Sequence, residues 1–348
     1  MFSDNNDHNG LTATPQTAFQ SPTEQDQTRT VLDSIATIAA EDTDQTPTST
    51  SLARPQKITN HGQPSILHAQ DLAWFEGASG ATPFYKKELP SPLSWPEPQT
   101  RAELEQRLQN IVGRSVAELS QLALLQTPRN ISSAKGYVGQ LVELFLGAHA
   151  HNQSGPDFTQ LALELKTMPV GFDLMPQEST FICSADLSPQ RLIPFTNSAL
   201  YHKLRQVLFV LILAPKNLSL ALGERRILGY FFFELKDEHL RTVETDYNEF
   251  QELLLGGHAQ EINGTMGTIV QLRPKATSAD EVVKVVDSEG NFNYTKPRGY
   301  YLRASFTREL LNTFIQEQGL TEILPKLQNF RQKLNLETAP ASDDEEAF

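Results

Sequence analysis

One cysteine, Cys183, is present in the 348 residues, so no disulfide can form within the chain. A reducing compartment is the simple reading of that scarcity. Long apolar runs are missing as well. The longest, "VLFVLILA" at 207–214, falls far short of the ~20 residues that a membrane-spanning helix needs. It reads instead as a strand buried on both faces. The opening "MFSDNNDHNG" has neither a basic nor an apolar stretch, so no secretory leader is expected and a cytoplasmic protein is. Internal repeats are absent too. Basic residues are scarce, with 29 Lys and Arg against 42 Asp and Glu and a net charge of −13. That balance disfavours nucleic acid only if it is evenly spread, and it is not. Residues 1–85 hold 3 basic and 10 acidic side chains, and 331–348 hold 2 and 5, which leaves 86–330 at only −3. A local basic cleft is therefore permitted in the middle of the chain.

What is present divides the chain into three parts. Residues 1–87 form a polar, acidic extension, rich in Thr, Gln, Ser, Asp, Asn and Pro in its first 60 residues. Such a stretch buries too little apolar surface to offset its ordering entropy, so it is expected to be disordered. One apolar patch, "QDLAWF" at 70–75, interrupts it. Residues 331–348, ending "SDDEEAF", read as an acidic tail. Between them, 88–330 reads as a folded mixed α/β domain. Helices are expected after Thr100, over 115–125, 137–150, 198–206, 239–257 and 308–319. Strands are expected within 157–170, 179–187, 207–214, 226–235, 268–275 and 298–307, with an irregular link between the last two.

The stretch "DFTQLALELKT" (157–167) carries the chemistry. Alternate strand residues share a face, so Leu163 and Leu165 point to the core while Glu164 and Lys166 point to solvent or a cleft. Asp157 precedes Glu164 by seven residues, so a turn must bring the two carboxylates together; "NQSGPDF" (152–158) offers turn chemistry. Two such carboxylates suit Mg²⁺, which keeps several waters. The neighbouring lysine can orient or deprotonate the attacking water, or stabilise charge on the phosphorus. The pattern is that of phosphodiester-cleaving nucleases, and equally that of a solvated strand face with an ion pair. Glu143 adds weight, because it interrupts the otherwise apolar "LVELFLG", where an unpaired carboxylate is costly.

The runs "KGYVGQLVELFLGA" and "DFTQLALELKTMPV", followed in order by "STFICSA", "YHKLRQVLFV", "ERRILG", "LRPKA" and "PRGYYLRASFT", resemble the MutH family of mismatch repair nicking endonucleases. The resemblance covers roughly 95–320. It implies a restriction-endonuclease-like (PD-(D/E)xK) fold, with a mixed central sheet flanked by helices and two lobes around a DNA cleft. It also implies a Mg²⁺-dependent enzyme that nicks the unmethylated strand at hemimethylated GATC in double-stranded DNA, in the bacterial cytoplasm, activated by the repair ATPase MutL. Carried onto this sequence, it assigns catalysis to Asp157, Glu164 and Lys166, with metal on the two acids, and support to Glu143 and Lys203. It places DNA contacts at Lys135, Phe181, Arg273, Pro274 and Lys275, and adenine-methylation sensing at Tyr301. Each of these has a plain alternative: lysines on a solvated surface, aromatics packing a strand.

Two other functions fit the same motifs. One is a restriction enzyme cutting both strands at unmethylated GATC. The other is a catalytically silent module that only senses methylation. The 70–75 patch resembles short peptides that dock on the bacterial sliding clamp; folding back onto the catalytic domain is its alternative.

Overall fold

The computed structural model describes residues 95–129, 136–148, 155–187, 191–216, 218–275, 281–317 and 323–334. Lys135, the extension at 1–87 with its 70–75 patch, and the tail beyond 334 lie outside the described residues.

Three helices come first. Helix α1 (Arg101–Ile111) starts where Thr100 accepts the N–H of Glu103. Helix α2 (Val116–Leu122) has a full capping box, with Ser115 and Glu118 each accepting the other's backbone N–H. Helix α3 (Tyr137–Leu146) ends at Gly147, whose left-handed φ of +76° lets the chain turn away. It stops four residues short of the expected end.

Strands β1 (Glu164–Val170), β3 (Gln206–Leu213) and β4 (Ile227–Glu234) form one sheet in the order β1-β3-β4, parallel between β1 and β3 and antiparallel between β3 and β4. The short helix α4 (Ala199–Leu204) leads into β3. The long helix α5 (Asp237–Leu255) follows β4. Strands β2 (Thr180–Ser184), β5 (Val270–Pro274) and β8 (Arg298–Leu302) make a second, antiparallel sheet in the order β2-β8-β5. The expected central sheet is therefore two three-stranded sheets. A separate hairpin, β6 (Val283–Val286) with β7 (Phe292–Thr295), occupies the expected irregular link. Helices α6 (Ala304–Glu317) and α7 (Ile323–Leu334) close the chain, so the folded part runs four residues past the expected boundary at 330. Among the described residues no helix is long and apolar enough to cross a membrane.

Strand β3 is buried on both faces, as its composition predicts. Leu208, Val210 and Ile212 join a core with α1, α2 and α3. Val207, Phe209, Leu211 and Leu213 join a second core with the other sheet and the later helices.

Strand β8 ends at Leu302, not at 307. Arg303 leaves the sheet because its guanidinium donates to the carbonyls of Gly264, Met266 and Gly267 at 2.7–2.9 Å, and its own carbonyl accepts the N–H of Thr307 to start α6.

The second sheet is tied to α5 by Asp246, which is 2% exposed. Its carboxylate accepts three backbone N–H groups, from Thr268, Ile269 and Val270, at 2.7–2.8 Å. Asp246→Ala leaves all three without an acceptor and is expected to lower stability by about 3 kcal/mol in urea titrations. A loss below about 1 kcal/mol would mean that water replaces the carboxylate at little cost.

Candidate active site

Asp157 reaches Glu164 through a tight turn. Phe158 and Leu163 exchange both backbone hydrogen bonds, at 2.9 and 3.1 Å, and Ala162 takes a left-handed φ of +49° to close the loop. The turn thus follows Asp157 and is made by 158–163, not by the Gly-Pro pair before it. The Phe158 ring is fully buried among α1–α3 and anchors the turn. Glu97 holds it from outside, accepting the Thr159 hydroxyl at 2.7 Å and the Gln160 N–H at 2.8 Å. Nothing in the sequence pattern marks Glu97 for this role. Beyond the turn, the Asp157 carboxylate accepts the N–H of Leu165 at 2.8 Å, which fixes it against the first residues of β1.

The face alternation of β1 matches the expectation. Leu163 and Leu165 enter the α1–α3 core, while Glu164 and Lys166 point to the side of the second sheet. Glu164 is nevertheless completely buried. Its carboxylate lies between two ammonium groups: Lys166 Nζ at 2.5 Å from Oε1, and Lys203 Nζ at 3.1 and 3.2 Å from the two oxygens. Lys203 comes from the last turn of α4, a position that no spacing rule connects to β1.

Burial and the charge of Glu164 push the Asp157 carboxyl up to about 6, with a smaller push from Glu143 and opposition from Lys166. Burial draws the Lys166 ammonium down, but the charges of Glu164 and Asp157 outweigh it and the group ends above its ordinary range. Lys166 is therefore an ammonium at neutral pH. Glu143, half-buried on α3, acts on both Asp157 and Lys166 through its charge, so the helix glutamate does belong to this cluster.

The raised Asp157 carboxyl has a consequence for stability. The folded state holds this proton more tightly than the unfolded chain, so ionising Asp157 opposes folding. Its contribution is most favourable below pH 3.8 and declines as pH rises through about 6. In EDTA, Asp157→Asn should therefore gain about 2–3 kcal/mol relative to the parent protein on going from acid to neutral pH. Urea titrations of both proteins across that range measure it, and parallel curves would show that Asp157 is not perturbed.

The second sheet carries another cluster beside the first. Phe181 on β2 sits directly across from Tyr301 on β8, their rings 5.3 Å apart and edge to face. Arg273 of β5 places its guanidinium 5.6 Å from the Tyr301 ring centre and donates to the Ser179 hydroxyl at 2.6 Å. The Lys275 ammonium lies 3.3 Å from the Phe181 ring centre. Gly299 makes room for this packing, since a Cβ there would come within 2.6 Å of the Phe181 ring. Pro274 is exposed at the end of β5 and, by strand alternation, faces away from its two neighbours, so its ring stays outside the cluster.

The two clusters are contiguous. Burial holds Lys275 below its ordinary range, and the charge of Lys166 adds to that. Buried Cys183, pushed up to about 12 chiefly by burial, feels Lys203, Lys166 and Lys275 at once.

The family model described as "DNA mismatch repair enzyme MutH" matches residues 146–246. That span holds Asp157, Glu164, Lys166 and Lys203 and ends before β5 and β8. The chain is 37% identical to the DNA mismatch repair protein MutH of Vibrio parahaemolyticus over 216 residues, covering 62% of this chain and 95% of the relative. It is 35% identical to the MutH protein of Pasteurella multocida over 222 residues, 64% of this chain and 99% of the relative. The chain belongs to the MutH family. It is thus a DNA mismatch repair endonuclease of that family, as the motif order implied. These MutH relatives are matched almost end to end, while more than a third of this chain lies outside each match.

Proposed function

We propose that this MutH-family chain nicks the unmethylated strand of duplex DNA at hemimethylated GATC, cutting at Asp157, Glu164 and Lys166 and reading bases with the second sheet. The observation that carries the reading is the buried Glu164, bracketed by Lys166 and Lys203 beside a second carboxylate, next to a cation-rich aromatic face. The two sheets then correspond to the catalytic and DNA-reading lobes of a restriction-endonuclease-like fold.

Among the described residues no three His, Cys, Asp or Glu side chains converge on a metal position. The donor set still fits Mg²⁺, which takes one or two carboxylates and completes its shell with water and substrate phosphate. Burial and the charge of Glu164 hold the Asp157 carboxyl above its ordinary range, a conflict that a cation relieves. When bound, Mg²⁺ polarises the phosphodiester and lowers the pKa of a water. Asp157 and Glu164 would hold the cation. Lys166, already protonated, steadies charge developing on the phosphate oxygens. Lys203 pairs with both Glu164 oxygens and fixes their direction, and Glu143 reinforces the negative field. Arg273 and Lys275 suit guanine O6 and N7 in the major groove. Tyr301 meets the adenine and reads the N6-methyl group by fit, while Phe181 supports its ring. Lys135, which lies outside the described residues, contributes a DNA contact. Activation by MutL, and a bacterial cytoplasmic, nucleoid-bound location, accompany the repair role; docking of 70–75 on the sliding clamp adds a tether at the DNA.

The test is nicking of hemimethylated, unmethylated and fully methylated GATC duplexes with Mg²⁺ or EDTA. The reading expects Mg²⁺-dependent single-strand nicks on the hemimethylated duplex and resistance of the fully methylated one. Concerted double-strand cutting of unmethylated sites would favour the restriction enzyme, and binding without cleavage the silent module.

A further inference from the structure

We infer that Ser179 is a positioning residue for sequence discrimination, holding Arg273 in the orientation from which it reads a base. This rests on the proposed base-reading role of Arg273.

Arg273 is the penultimate residue of β5, where its strand partner is Gly299, a residue with no side chain to support a guanidinium. An arginine there has a long stem and many rotamers, and fixing it costs conformational entropy on binding. The structure meets that cost before DNA arrives. Ser179, one residue ahead of β2, accepts a 2.6 Å hydrogen bond from the Arg273 guanidinium. The same guanidinium lies 5.6 Å from the Tyr301 ring centre. The serine hydroxyl, from the residue leading into β2, and the tyrosine ring, from the neighbouring strand β8, thus restrain the guanidinium from two segments. Glu178, adjacent to Ser179, adds a field: its carboxyl is raised by burial but pulled back by Lys216, Arg225 and Arg273. One short segment, 178–179, therefore supplies both a hydrogen bond and a counter-charge to Arg273. A guanidinium forks to guanine in a narrow range of planes, so a residue that sets the plane sets the discrimination. Ser179 does not need to touch DNA to do this. Removing its hydroxyl takes away one of the restraints on the Arg273 plane, which weakens recognition of the cognate base without disturbing the phosphate chemistry at Glu164.

The test compares Ser179→Ala, Ser179→Thr, Arg273→Ala and the Ser179→Ala/Arg273→Ala double variant. Nicking is followed on a cognate GATC duplex and on duplexes with one base of the site replaced. Ser179→Ala should lose about tenfold of the cognate-over-variant ratio, the size of one hydrogen bond to a charged group. The loss should lie in KM, with kcat on the cognate duplex and the melting temperature unchanged. Ser179→Thr, which keeps the hydroxyl, should restore the ratio. In the Arg273→Ala background, Ser179→Ala should add nothing. Parent-like discrimination in Ser179→Ala, alongside lost discrimination in Arg273→Ala, overturns this inference and leaves the reading of Arg273 intact. A further loss in the double variant also overturns it, since the hydroxyl would then act on DNA directly. Unchanged discrimination in Arg273→Ala overturns the base-reading role itself, and the inference with it.

Discussion

Glu164→Gln should reduce nicking on the order of 10³-fold or more, because several kcal/mol of charge stabilisation at the phosphate disappears with the carboxylate. Glutamine is the informative substitution. Alanine would leave a void at a fully buried position and two ammonium groups without their shared partner, so lost activity and lost folding would be confounded. The amide keeps the shape and one oxygen for Lys203 or Lys166. Binding of specific DNA should survive, and it should tighten slightly, since removing one negative charge from a cleft that meets phosphates favours the anionic duplex. Asp157→Ala should show the same separation of cutting from binding. Its carboxylate supports only the Leu165 N–H at the strand edge, so the structural penalty is smaller. Nicking assays and filter binding on the same preparations decide the matter. Parent-like nicking by either variant at ordinary Mg²⁺ would remove these two acids from the catalytic centre.

The second large effect is expected at Tyr301. Tyr301→Ala should collapse the rate difference between hemimethylated and fully methylated sites, a difference of roughly 10–200-fold if one methyl group is judged by fit. The ring is half-buried, wedged edge-on against Phe181 with Arg273 beyond it, so it is rigid enough to discriminate by shape. Burial also raises its phenol above the ordinary range, which keeps the hydroxyl neutral at working pH. Tyr301→Phe separates ring from hydroxyl and should retain most of the discrimination. Tyr300 is the local control. It lies on the other face of β8, buried, its hydroxyl accepting from Gln251 at 3.2 Å. Tyr300→Phe should cost a little stability and no discrimination. Should Tyr300→Phe relax methyl sensing while Tyr301→Ala leaves it intact, the face assigned to the DNA would be the wrong one.

These two sites were not equally legible. Strand β1 could be read because its alternation is clean: Leu163 and Leu165 turn to the α1–α3 core, Glu164 and Lys166 to the opposite side. The doubly buried β3 was equally plain, since both of its faces are apolar. Lys203 was visible only through resemblance, because its partner is 39 residues away on another element. Glu97, which braces the turn from more than 60 residues away, was not visible at all. The β6–β7 hairpin escaped because β6 is only four residues long and β7 exposes Phe292 and Tyr294 by more than 60%, so β7 carries no buried alternation. Helix α7 escaped for a different reason. Pro325 looks like a breaker, yet it sits in the first turn, where a missing N–H is harmless. The division into two sheets follows from long-range pairing of β2, β5 and β8, which local pattern does not encode.

Strand β3 is a party wall between the two cores, and this sets how the enzyme comes apart. Neither core closes without it: one needs Leu208, Val210 and Ile212, the other Val207, Phe209, Leu211 and Leu213. An opening large enough to release one lobe strips apolar partners from the other. Amide hydrogens in the two three-stranded sheets should therefore exchange through the same global event, with matching opening free energies. With the proposed division of cutting and reading between the two sheets, both are lost together, so a thermally stressed molecule should not persist as a nuclease that has forgotten its sequence.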